Sequence, residues 1–76
     1  MNNKRRAALQ EASGFLDRAV FIIEGVLDGE QDAMDNCPEN LQGSERFEAM
    51  EAAVDALNDA VERIEEARES VSTAIK

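Results

Sequence analysis

A chain of 76 residues with a formal charge of −9 allows one small domain, with a sizeable core only if its helices are long and regular or its subunits associate. Seventeen acidic residues against eight basic ones, with no basic stripe, argue against direct binding of a nucleic-acid duplex. The absence of histidine removes imidazole bases and histidine-containing metal sites, and a single cysteine removes an internal disulfide and suits a reducing cytoplasm.

The basic opening "NKRRAAL" is followed by neither a long apolar stretch nor a small-residue cleavage site, so no secretion signal is expected. A little further on, "AVFII" meets Glu24. The apolar segment from Ala19 to Leu27 is far short of the ~20 residues that a membrane span needs, and no membrane association is expected.

From Leu9 a three-four alternation runs through Ala12, Leu16, Ala19, Ile23 and Val26 and, after a break at Glu30, through Ala33 and Cys37. That rhythm predicts a helix from about residue 4 to about residue 36 with one heptad-like seam. Large apolar residues also flank it, Phe15 and Ile22 on one side and Val20, Leu27 and Met34 on the other. One partner helix cannot cover so broad a face. These five residues are therefore expected to form a homodimer or larger assembly, each burying ~1.5–3 kcal/mol of apolar surface. Gly14, Gly25 and Gly29 cost up to ~1 kcal/mol each inside a helix, which predicts either a bend near Gly29 or a close helix crossing. Phe21 lies opposite the seam and is a candidate either to extend the oligomer contact or to anchor a partner.

The segment "DNCPENLQGSER" then interrupts the pattern. Pro38 ends the first helix, Gly43 is expected to permit the reversal, and Ser44 is a good N-cap; the glutamate of a capping box is missing because Phe47 occupies its place. A loop is expected over about residues 37–43. Polar residues exceed what a bend requires, and Asn40, Gln42, Ser44 and Arg46 form a candidate ligand or partner site at the start of the second helix, where free amides favour a phosphate or carboxylate.

A second helix, about residues 44–75, carries the seam Phe47, Met50, Val54, Leu57, Val61, Ile64, Val71 and Ile75, with Arg68 at one seam position. Ala53, Ala60, Ala67 and Ala74 recur every seven residues on one flank, and Glu51, Asn58, Glu65 and Ser72 on the other. The expected fold is all-α, an antiparallel hairpin of two helices assembling into a homo-oligomeric bundle. With the reversal placed at residue 40, Arg68 falls beside Glu11. Glu24, Asp28, Asp32 and Asp35, like Glu62, Glu65, Glu66 and Glu69, read as solvated faces. "DGEQDAMDN" lacks the ligand order of a calcium loop. Cys37 has no basic neighbour to activate it and continues the seam, so a packing role is expected. No catalytic residue, metal site or cofactor is expected.

The loop and the start of the second helix, with Asp35, Asn36, Pro38, Glu39, Asn40, Leu41, Gln42, Ser44, Glu45, Arg46, Glu48 and Met50 at matching positions, resemble small helical phage and prophage proteins of Gram-positive bacteria carrying a core like "DN-x-PENLQ-x-SER-x-E-x-M". That family is largely of unassigned function. The resemblance implies a viral accessory protein acting in the bacterial cytoplasm. By analogy it suggests a non-enzymatic inhibitor of a host defence system that binds a host protein or sequesters a cyclic nucleotide signal. The other reading is a structural adaptor or assembly factor that acts only by helix–helix association.

Overall fold

In the computed structural model, which describes residues 1–76, the chain forms two long helices and no strand. Helix α1 spans Asn3–Asp35, and helix α2 spans Glu45–Ile75. Between them lies a single 3-10 turn, Glu39–Leu41. The two helices pack antiparallel into a rod 59 Å long and 15 × 13 Å in cross-section. No helix is long and apolar enough to cross a membrane.

Each end of the rod is fixed by local polar chemistry. Asn2 caps α1 by accepting the Arg5 amide at 2.8 Å, and Ser44 caps α2 by accepting the Phe47 amide at 3.2 Å. Asn36 closes α1: its backbone amide donates to the Asp32 carbonyl at 3.0 Å and its side-chain amide to the same oxygen at 2.9 Å. Pro38, in extended conformation, then prevents continuation. The chain reverses through the amides of Leu41, Gln42 and Ser44, which donate to the carbonyls of Pro38, Glu39 and Leu41. No residue has positive φ, Gly43 included. The reversal at Gly43 therefore needs no left-handed backbone and comes from this short turn and the two helix caps. At the open end, Arg6 donates from Nε to the Ile75 carbonyl at 3.1 Å. A cation there satisfies one of the last free carbonyls of α2 and opposes the negative end of its dipole.

The packed seam corrects the expected phase of α1. Buried residues are Val20, Leu27 and Val54 alone, at 7%, 8% and 9% exposure, while Val26 is 53% exposed and Ala33 is also exposed. Leu9, Leu16, Ile23 and Cys37 do lie on the inner side, with Ala12 and Ala19 half-buried at its edge, but the seam runs on through Ser13, Val20, Leu27, Glu30 and Met34 and not through Val26 and Ala33. Both sets alternate by three and four around the same heptad positions. The larger one wins because Val20, Leu27 and Met34 remove more apolar surface from water against α2 than Ala19, Val26 and Ala33 would. On α2 the buried and half-buried residues run from Phe47 through Met50, Val54, Leu57, Val61 and Ile64 to Val71 and Ile75.

Arg68, at the polar break in that seam, pairs with Asp17 at 2.6 Å, not with Glu11. The reversal is accordingly centred near residue 42, a few residues later than residue 40. Helix α1 runs unbroken through Gly14, Gly25 and Gly29, and none of the three has another part of the hairpin within 4 Å of where a Cβ would stand. The helix is therefore not interrupted at these glycines, and no close crossing inside the hairpin accounts for them.

Candidate interaction surface

The inner seam of α1 has a companion displaced by one residue. From Ala8 to Ala33, again by threes and fours, run Ala12, Phe15, Ala19, Ile22, Val26 and Gly29. One residue is about 100° of rotation, so this second seam stands at nearly a right angle to the direction of α2. Phe15, Ile22 and Val26 are 68%, 51% and 53% exposed on it. On α2 the same displacement of one residue selects Ala49, Ala53, Ala56, Ala60, Ala67 and Ala74, interrupted by Arg46, Arg63 and Ser70. In an antiparallel pair, equal displacements on the two helices lie on the same side of the hairpin. The cavities bear this out, since Ala33 and Arg46, both on the displaced positions, line one of about 220 Å³ at the loop end.

The opposite displacement gives the opposite face. Asp17 joins Glu65, Glu69 and Ser72 around a wholly polar groove of about 530 Å³ bridged by the Arg68–Asp17 pair. Gln31 and Asp35 share another opening on that side. The hairpin is thus two-faced, mainly apolar and small-residued on one side, where Arg46 and Arg63 are the exceptions, and acidic on the other. Periodicity read helix by helix found each flank but not their coincidence, which depends on the antiparallel packing.

Of the residues assigned to an oligomer contact, Phe15 and Ile22 stand on this free face. Val20 and Leu27 do not: they are buried against α2 within one chain, and Met34 is half-buried beside them. These three belong to the hairpin core because they fill the phase that α2 covers. Phe21, 71% exposed, stands on the other side of α1, where the Arg18 guanidinium lies 5.7 Å from its ring centroid. It does not extend the apolar face, and the cation over the ring accounts for part of its cover.

The candidate anion site at the loop is only loosely assembled. The Ser44 oxygen accepts the Phe47 amide, and Gln42 donates to the Cys37 carbonyl at 3.5 Å, so both serve the turn. Asn40 and Arg46 are exposed, and Arg46 takes no part in either ion pair, Arg63–Asp59 or Arg68–Asp17. Ser44 and Arg46 do line the 220 Å³ cavity, but with Ala33, Cys37, Pro38, Leu41 and Met50 it is largely apolar, and one arginine is its only charge. Chemically it suits a small apolar insertion better than a phosphate. No group of three or more Cys, Asp or Glu side chains converges as a metal site would require.

Compared with family models, with curated proteins and with solved structures, the chain matches none.

Proposed function

We propose that this protein is a non-enzymatic binding protein that works by helix–helix association through the apolar face of its hairpin. The observation that carries the reading is the alignment of exposed Phe15, Ile22 and Val26 on α1 with the alanine stripe of α2. Large side chains on one helix and small ones on the next suit close packing of further helices, and a contiguous exposed apolar patch marks an interaction site. In its narrower form, drawn from the resemblance of the loop to phage and prophage proteins, the partner is a component of a bacterial defence system and binding blocks it. The nucleotide-sequestering variant has one exposed cation per chain at the loop, Arg46, to support it.

Affinity purification of the tagged full chain from a Gram-positive bacterium, with mass spectrometry of proteins and small molecules, tests the reading against two variants. Phe15→Glu is expected to lose any specific protein partner while Arg46→Ala retains it. Loss of a co-purifying nucleotide in Arg46→Ala, with Phe15→Glu unaffected, transfers the function to the loop and overturns the proposal.

A further inference from the structure

Three features of the apolar face specify what covers it. The first is the poverty of the core: with Val20, Leu27 and Val54 as its only buried residues, the hairpin alone has little of the apolar burial on which small domains rely and is only marginally stable. A hairpin 59 Å by 15 Å offers on one face an area on the order of the ~800 Å² per partner that stable complexes bury.

The second is the symmetry of the α1 stripe about its own midpoint. Laid antiparallel on itself, it sets Phe15 of one copy beside Val26 of the other, Ala19 beside Ile22, and Ala12 beside Gly29. Large residues meet near the centre and small ones toward the ends, in the paired layers of an antiparallel coiled coil. Gly29, which nothing inside the hairpin explains, then lies where two backbones approach.

The third is charge. The first half of α1 holds Lys4, Arg5, Arg6 and Arg18 against two carboxylates, Glu11 and Asp17. The second half holds Glu24, Asp28, Glu30, Asp32 and Asp35 and no cation. An antiparallel α1 pair sets the net-positive first turns of each copy level with the net-negative last turns of the other. Glu30 lies at the edge of the contact, and Glu24, Asp28 and Asp35 act across it only at longer range from the outward face. Seating α1 on α2 of the other copy would instead oppose that acidic half to Glu48, Glu51, Asp55 and Asp59.

We infer that the partner on this face is a second copy of the chain, packed face to face about a two-fold axis perpendicular to the helices, α1 against α1 and α2 against α2, as a four-helix bundle. The inference rests on the reading of this face as the working surface for helix–helix association and names its occupant, a second copy in place of the host component of the narrower form. Such a contact is isologous and closes at two copies. The one-residue displacement between the seams, about 100°, is close to the right angle between neighbours at the corner of a four-helix bundle. The acidic faces point outward, where water and salt screen them.

Sedimentation velocity of the purified full chain at 1–100 μM, about the concentrations of ordinary complexes, should show a dimer. Phe15→Glu should weaken it roughly a hundredfold or more by burying a charge at the centre, whereas Glu65→Gln on the acidic face should leave it intact. Because Phe15→Glu can also unfold a chain whose folding depends on the contact, disulfide trapping gives an independent measure. In a Cys37→Ser background, Ala8→Cys mixed with Ala33→Cys should give a covalent dimer that neither variant gives alone. Cross-linking of Ala33→Cys to Ala49→Cys in its place overturns the α1–α1 arrangement. A folded monomer at 100 μM, or an assembly that Phe15→Glu leaves unchanged, overturns the second copy as occupant. If in the monomeric case Phe15→Glu still abolishes capture of a different protein, the proposed function stands and only this inference fails.

Discussion

Two stripes of α1, one residue apart, carry similar side chains and meet opposite fates. Val20 and Leu27 are buried under α2, while Ile22 and Val26 are half exposed on the neighbouring face. Nothing in the hydrophobicity of these four residues separates them. The difference is which stripe α2 covers, and it shows that an amphipathic helix can hold more apolar surface than one partner removes. The remainder is then an interface in waiting. On α2 the contrast is sharper, because beside its packed seam lie no large apolar residues, only alanines with two arginines and a serine on one flank and carboxylates with Asn58 and Ser72 on the other.

The largest effect that would break this comparison is at the inner stripe. Leu27→Ala should destabilise the chain by about 2–4 kcal/mol in urea denaturation followed by circular dichroism. At concentrations low enough for the chain to be monomeric, Ile22→Ala should cost less than about 1 kcal/mol. Equal costs in dilute solution would mean that the two stripes are not energetically distinct. Next comes the cap that starts α2: Ser44→Ala removes the acceptor of the Phe47 amide and should lower stability by about 1 kcal/mol without changing association.

Glycine substitutions sharpen the comparison further. Gly25 lies off the apolar face with open space around it, so Gly25→Ala should raise stability by about 0.5–1 kcal/mol through helix propensity alone. Gly29→Ala should give the same gain in dilute solution and lose it as concentration rises, if Gly29 sits where two copies approach. Melting temperature measured across a hundredfold concentration range compares the two. The smallest expected effect is on the polar face. Asp17→Asn removes the ion pair with Arg68, but both side chains are about half exposed, so the loss should be at most about 0.5 kcal/mol and should shrink with added salt.

The α2 seam was legible in the sequence because only one phase of its three-four alternation carries large apolar residues; the adjacent phases are alanine or polar. In α1 two phases are apolar and share Leu9, Leu16, Ile23 and Cys37 every seventh residue. Periodicity therefore located the helix and its breadth but gave no means of choosing the inner phase, and Val20, Leu27 and Met34 were assigned outward as a result. At the loop, Ser44 was readable as a cap from its residue type and position. The alternative use of Gln42 and Ser44 in an anion site depended on where their hydrogen bonds go, which no local pattern records. Arg6 at the α2 C-terminus escaped sequence reading altogether, because its acceptor, the Ile75 carbonyl, is at the far end of the chain.

By itself, then, the sequence determined the two helices, the polar break that Pro38 and Ser44 impose between them, and an excess of apolar surface on α1. Those properties follow from helix periodicity and capping, which act within a few residues. Only the tertiary structure decided which phase of α1 faces α2, that Arg68 meets Asp17, and that the exposed stripe of α1 and the alanines of α2 fall on one side. These depend on the register of two antiparallel helices. Register is set by the total area that side chains bury across the pair, a sum over contacts far apart in the chain that no local window contains.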